Sequence, residues 1–140
     1  KKYFNLDGVI LLQPTSPFRT KKTIQEEIKL FKKNKLKPVI GVSQTHNHLE
    51  WIFKIKKNQL EPFIFGSNLK TRYQDLKPAY IVNGSFYLIS CNDLRKYQSF
   101  IGKSAYPLIS NSLYESLDID TEFDWTFAEN ILKKNKKKIF

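Results

Sequence analysis

The chain of 140 residues holds one cysteine, Cys91, and two histidines, His46 and His48. One cysteine closes no intramolecular disulfide, and these few nitrogen and sulfur donors make a tetrahedral zinc site hard to assemble. Any metal is therefore expected on carboxylates, which points to magnesium-type chemistry. No apolar run approaches the roughly 18 residues of a membrane span, and Lys1-Lys2-Tyr3-Phe4 lacks the apolar core of a signal peptide. A reducing, cytoplasmic setting away from membranes is the expectation. Glycine is scarce too, at five residues, and nothing in the chain resembles a glycine-rich loop that cradles phosphate.

Positive charge is abundant. Lysine and arginine number 24 against 13 acidic residues, a formal net charge of +11. Such a balance invites a nucleic-acid reading through counterion release. The excess is mostly lysine, however, with a concentrated run at Lys133-Lys134-Asn135-Lys136-Lys137-Lys138, and it accompanies enrichment in Ile, Asn and Phe. That joint bias reads as compositional habit rather than a groove, so no nucleic-acid partner is expected. A small anionic substrate accounts equally well for the charge.

Val9-Ile10-Leu11-Leu12 has no polar face and reads as a strand buried on both sides, central in a parallel sheet. It runs into Gln13-Pro14-Thr15-Ser16-Pro17-Phe18-Arg19-Thr20, a polar, proline-bounded loop at the carboxyl end of that strand. Open α/β sheets bind ligands there, which makes this loop the first candidate site. Thr23 to Glu26 has capping-box spacing, and Ile24, Ile28 and Phe31 predict a helix ending near Asn34. Pro38 to Ser43 reads as the next strand, joined through a right-handed crossover.

From Gln44 to Pro78 aromatics alternate with lysines, and Trp51–Lys56 and Pro62–Phe65 predict a two-stranded excursion. A lone hairpin is barely stable, so it is expected to pack on a partner subunit or fold back as a lid. His46 and His48 at its entrance read either as ligand contacts or, more simply, as solvated loop residues. Asn83-Gly84, between two apolar runs, fits a hairpin turn or a close backbone approach to a ligand. Asn92–Tyr97 predicts a short helix and Tyr106–Ile109 an edge strand.

In Ser116-Leu117-Asp118-Ile119-Asp120 alternation points both carboxylates one way and Leu117 and Ile119 inward. Thr121 and Asp124 then have capping spacing, and Phe123, Phe127, Ile131 and Leu132 predict one face of a last helix. An Asp-x-Asp pair is either a metal site or an acidic helix start.

Three blocks in order, Leu11 to Arg19, Arg72-Tyr73-Gln74-Asp75 through Asn83-Gly84-Ser85-Phe86-Tyr87, and Ser116 to Asp124, resemble the acylneuraminate cytidylyltransferase family. The resemblance spans essentially the whole chain. It implies a three-layer α/β/α sandwich on a mostly parallel sheet, with residues 1–132 as one domain, an excursion over about 44–78 that helps build a homodimer, and a basic tail at 133–140. It implies transfer of CMP from CTP to the anomeric hydroxyl of a nonulosonic acid, with Asp118 and Asp120 holding magnesium and Gln13 contacting nucleotide or sugar. Asn83 and Tyr87 fall at sugar-pocket positions, Arg72 at the base that meets the substrate carboxylate, and Ser16 and Gln74 at substrate-side positions. Arg19 either contacts substrate or ties down the loop.

Two departures stand out. Tyr73 and Ile81 occupy positions that are often basic in the family, and the Arg-, Gly-, Ser- and Lys-rich loop that grips the triphosphate is absent. The expectation is a C-terminal part of such an enzyme, inactive alone, with an unpaired apolar sheet edge. The competing readings are a metal-dependent glycosyltransferase using Asp-x-Asp, and a non-enzymatic basic binding module.

Overall fold

The computed structural model describes residues 6–66, 70–112 and 114–139. Its chain forms two compact units, one of Lys1–Ser43 with Val82–Phe140 and one of Gln44–Ile81.

The first unit is built on β1 (Gly8–Leu11), α1 (Lys21–Lys33), β2 (Val39–Gln44), most of β5 (Tyr80–Ser90), α2 (Cys91–Tyr97), β6 (Tyr106–Ile109) and α3 (Glu122–Ile139). The second contains the hairpin strands β3 (Phe53–Lys56) and β4 (Gln59–Pro62). The four-stranded sheet has the order β1-β5-β2-β6. β1 pairs with β5 antiparallel, Gly8 opposite Ser90 and Leu11 opposite Tyr87. β2 pairs with β6 in parallel. The sheet is therefore mixed rather than mostly parallel, and β5 separates the two strands that the strand-helix-strand pattern would have made neighbours.

β1 is also an outer strand among the described residues, not a central one. Its apolar run is half-covered instead of buried on both faces, and Leu11 and Leu12 stay partly exposed. Asn83-Gly84 makes no hairpin turn, because β5 runs unbroken through it for 11 residues.

α1 begins one residue after Thr20, whose hydroxyl accepts from the Thr23 N–H. The expected capping box at Thr23 does not form: Glu26 instead faces Lys22 one turn back on the exposed side, and the Thr23 hydroxyl donates to Glu115 Oε1 at 2.5 Å. Phe31 of α1 packs with Val39 and Leu88, flanked by Ile10, Leu30, Leu36 and Leu108. This cluster fastens the helix to all four strands. A second cluster joins Phe18 of the site loop to Ala128 and Ile131 of α3, with Leu117, Ile119 and Leu132 against it. Phe123 and Phe127 lie outside that face and are exposed. α3 continues as helix through the lysine-rich run to Ile139.

The hairpin turns at Lys57 and Asn58, both at positive φ (49° and 61°). That pair of left-handed residues defines a two-residue turn matched to strand twist, and it sets Lys56 opposite Gln59. The second hairpin strand consequently lies at Gln59–Pro62, earlier than the aromatic run Pro62–Phe65 predicted.

Glu27 departs furthest from the sequence pattern. It is fully buried on α1, and neither carboxyl oxygen has a hydrogen-bond partner. Loss of hydration penalises the charged form and raises its pKa from the ordinary 4.5 to about 8. The folded state thus holds the proton more tightly than the unfolded chain. Its contribution to stability is full below the ordinary carboxylate range and is lost as pH rises through about 8. The full swing is at most on the order of 5 kcal/mol. Urea midpoints between pH 5 and pH 9 should fall more for the wild type than for Glu27→Gln, whose neutral amide removes this component; parallel pH profiles would refute it.

Candidate functional site

The Gln13–Arg19 loop is shaped by its own backbone. The Gln13 carbonyl accepts from the Ser16 N–H at 3.2 Å and from Arg19 Nη1 at 2.6 Å. Arg19 therefore ties the loop across its two ends. Pro14 and Pro17 restrict the backbone within it, Ser16 is buried, and Phe18 anchors the loop in the α3 cluster.

The segment 117–120 lies along this loop. Ile119 N–H donates to the Thr15 carbonyl at 2.9 Å, and the Ser16 hydroxyl reaches Asp118 Oδ1 at 3.4 Å. Leu117 and Ile119 pack against the second cluster, as alternation requires, and Asp118 between them turns to Ser16 and Gly84. Asp118 is half-buried, whereas Asp120 is exposed.

Gly84 closes the floor. At φ +71° it lies in the left-handed region, and a Cβ built there would sit 2.6 Å from Gln13 Oε1, 3.0 Å from Asp118 Oδ2 and 3.3 Å from Ser16 Oγ. Three of the sequence-predicted residues thus converge on one backbone atom of β5. Neighbouring Asn83 is buried, and its amide is committed: Nδ2 donates to Ser43 Oγ at 2.9 Å, and Oδ1 accepts from Ser85 Oγ and Ser85 N–H. It stiffens the strand that presents Gly84.

Electrostatics tie Arg19 and Tyr87 to the same place. Burial pulls the Arg19 guanidinium below its usual range, and the Asp118 charge opposes that shift. Burial pushes the Tyr87 phenol up, and the negative charge of Asp118 adds to the push. Tyr87 also packs edge-on against Phe100.

Asp124 organises the entry to α3. Its Oδ2 accepts from the Thr121 hydroxyl at 2.7 Å, Thr121 N–H at 2.9 Å and Asp120 N–H at 3.2 Å. The Thr121 hydroxyl, the largest cause, and the two backbone N–H groups hold the Asp124 carboxyl below the usual carboxylate range. The acidic helix start belongs to Asp124, which leaves the Asp118–Asp120 pair outside the cap.

Arg72 and Gln74 lie in the second unit, at the one-turn helix Tyr73–Asp75. Gln74, Tyr73 and His48 line a cavity there of about 190 Å³. His46 Nδ1 lies 3.1 Å from the Tyr73 hydroxyl, and His48 Nε2 lies 3.0 Å from the Lys77 carbonyl. Both histidines have protein partners.

Among the described residues no three His, Cys, Asp or Glu side chains are gathered where they could hold a metal ion. A divalent ion at this site would therefore rely on the Asp118–Asp120 oxygens, with further ligands from phosphate and water. That donor set suits a hard cation such as magnesium.

Sequence reasoning missed Glu115 and the bracing role of Asn83. The Asn83 contacts had a local signal in Asn-Gly-Ser. Glu115 had none, since its partners Thr20 and Thr23 are 95 and 92 residues away.

No protein-family model matches the chain. Among curated proteins it is 35% identical over 135 residues to a CMP-N,N'-diacetyllegionaminic acid synthase of Legionella pneumophila, an alignment covering 95% of this chain and 57% of that protein. It is 28% identical to an N-acylneuraminate cytidylyltransferase of Escherichia coli, covering 98% of the chain and 33% of the relative. A Streptococcus agalactiae enzyme of the same name is 24% identical, covering 94% and 33%. The family resemblance read from the three sequence blocks is borne out: the chain is homologous to these cytidylyltransferases along nearly its whole length. It spans a little over half of the first relative and a third of the others.

Gly84→Ala should lower stability by about 1–2 kcal/mol from left-handed strain alone, with a further loss from crowding Gln13 and Asp118. Gly66, at φ +80° with nothing within 4 Å of a built Cβ, isolates the strain. Urea denaturation should show Gly84→Ala costing clearly more than Gly66→Ala, and equal losses would rule out the close approach.

Proposed function

We propose that this chain carries the sugar and metal side of a cytidylyltransferase that couples CTP to a nonulosonic acid. The supporting observation is the convergence of Gln13, Ser16 and Asp118 on Gly84, in a chain homologous to enzymes named for such products. The sugar's anomeric oxygen attacks the α-phosphorus of CTP, the α–β phosphoanhydride bond breaks, pyrophosphate leaves, and the hydroxyl proton passes to solvent.

The residues divide this work. The Gln13 side chain borders the backbone of Gly84 and is placed to orient a hydroxyl of nucleotide or sugar. Asp118 and Asp120 are the residues that would hold magnesium, which when bound neutralises charge spread over phosphate oxygens. In the Gln44–Ile81 unit, Arg72 offers a planar fork matched to a sugar carboxylate and Gln74 is a second substrate-side candidate; in the other unit, Tyr87 is the sugar-side candidate whose phenol feels the Asp118 charge. Arg19, committed to the Gln13 carbonyl, acts by holding the loop. Higher identity to the legionaminic acid synthase than to the N-acylneuraminate enzymes favours a legionaminic-type acid. The triphosphate grip is assigned to no residue of this chain, whose sequence carries no glycine-rich phosphate-loop motif. The full enzyme is proposed to have the three-layer α/β/α fold and to work in the cytoplasm.

A longer protein containing this chain should release pyrophosphate from CTP with a legionaminic-type acid in the presence of magnesium, while the chain alone should release almost none. In that longer protein Asp118→Asn should lower kcat on the order of 10²-fold, the scale of a lost metal ligand. Full activity in the variant would exclude the metal role of Asp118.

We further propose a homodimer formed through the hairpin unit, whose Ile55, Leu60, Phe63 and Phe65 are more than half exposed. Apolar exposure on that scale marks an interaction surface. Sedimentation velocity should show a dimer that Phe63→Ser with Phe65→Ser converts to monomer; an unchanged dimer would place the interface elsewhere.

A further inference from the structure

Glu115 lies in the loop between β6 and α3, remote in sequence from the site loop, yet it grips the amino end of α1. Its Oε1 accepts from the Thr20 backbone N–H at 3.2 Å and from the Thr23 hydroxyl at 2.5 Å. Thr20 and Thr23 are themselves linked, hydroxyl to hydroxyl at 2.8 Å and Thr23 N–H to Thr20 Oγ1 at 3.1 Å. One carboxylate oxygen thus closes a three-residue network at a helix amino terminus, where negative charge is favoured by the backbone dipoles.

The location gives this network a consequence beyond capping. Thr20 directly follows Arg19, which bridges to the Gln13 carbonyl. Glu115 itself sits three residues before Asp118. Its loop is braced locally, since Glu115 N–H donates to Ser112 Oγ at 3.4 Å and Leu117 N–H to the Tyr114 carbonyl at 3.1 Å. The site loop and the Asp118 segment are joined in the middle by the Thr15–Ile119 and Ser16–Asp118 contacts. Glu115 joins them again at the far end of the loop. Two attachments fix both position and angle, whereas one leaves a hinge.

We propose that Glu115 is a positioning residue for nucleotidyl transfer: through Thr20 and Thr23 it holds the Gln13–Arg19 loop in register with Asp118. This rests on the function proposed above. It adds a residue that contacts neither substrate nor metal and acts through the loop.

The test has two arms. In the first, amide hydrogen exchange of this chain compares wild type, Glu115→Ala and Glu115→Gln. The alanine variant should exchange at residues 14–20 at least tenfold faster, with residues 123–132 of α3 unchanged, and the glutamine variant, which keeps an acceptor oxygen, should restore most of the protection. Unchanged exchange at 14–20, or uniform acceleration everywhere, overturns the proposal. Should the alanine variant not fold, Thr23→Val removes one of the two contacts and is expected to give a smaller rise confined to the same residues.

In the second arm the longer protein containing this chain is assayed for pyrophosphate release. Glu115→Ala should lower kcat about tenfold or more and raise the magnesium concentration needed for half-maximal rate, with glutamine rescuing both. Thr23→Val should add little in the Glu115→Ala background. A lowered melting temperature with unchanged kcat would make Glu115 a purely structural clasp and overturn the assignment. Absence of activity in the wild type with every acid tested would refute the proposed function, while the exchange arm would still decide whether Glu115 holds the loop.

Discussion

A single backbone hydrogen bond, Ile119 N–H to the Thr15 carbonyl, joins the two segments on which this site is built. Side chains from the opposite ends of the chain meet because their backbones are already in contact, and the Ser16–Asp118 contact spans 102 positions. Closing so long a loop is entropically costly, and the Phe18–Ala128–Ile131 cluster supplies the apolar burial that offsets it. Geometry at Gly84 then follows, since Gln13, Ser16 and Asp118 close on β5 to distances that leave no room for a Cβ. Packing and polar geometry reinforce one another there.

The charge distribution serves the same end. In a chain of net charge +11, the half-buried Asp118 shares its surroundings with one guanidinium, Arg19, and one phenol, Tyr87, both of which feel its field. Arg19 spends its strongest hydrogen bond on the Gln13 carbonyl rather than on Asp118. Among the described residues the carboxylate keeps a long hydroxyl contact from Ser16, at 3.4 Å. By contrast Oδ2 of the Asp124 carboxylate accepts three hydrogen bonds from Asp120 and Thr121 at the start of α3.

Elements governed by local pattern were legible in the sequence. α1, β2, α2, β6 and α3 lie close to where periodicity and turn residues placed them, α1 starting earlier than its Thr23 capping signal because Thr20 is the cap, and Leu117 and Ile119 face inward as alternation required. What was not legible depended on partners. The apolar character of Val9–Leu12 said nothing about which strand would lie beside it, and the antiparallel β5 took that place. Asn83-Gly84 was ambiguous because one left-handed glycine serves a turn and a close approach equally well; the packing of Gln13 and Asp118 chose the second. The hairpin register turned on positive φ at Lys57 and Asn58, which composition does not mark. Glu27, outside the helical spacing of Ile24, Ile28 and Phe31, turned inward, and Ile28 within that spacing remained partly exposed. In the site, recognisable blocks brought forward Gln13, Ser16, Asp118 and Tyr87. Arg72 and Gln74 belong to the other unit.

The Gln44–Ile81 unit enters from β2 and returns through β5, and just inside its two ends the Thr45 N–H donates to the Ala79 carbonyl at 3.0 Å. A segment pinched shut at its base behaves as a cassette. Residues can be inserted, lost or exchanged within it while the strands that carry Gly84 and Gly41 keep their register, because each doubling of a closed loop adds only about 0.6 kcal/mol. The two parts of such a protein tolerate change unequally: the unit bearing Asp118 is constrained by interlocked contacts, while the unit bearing Arg72 and Tyr73 is a closed loop whose length the sheet does not set.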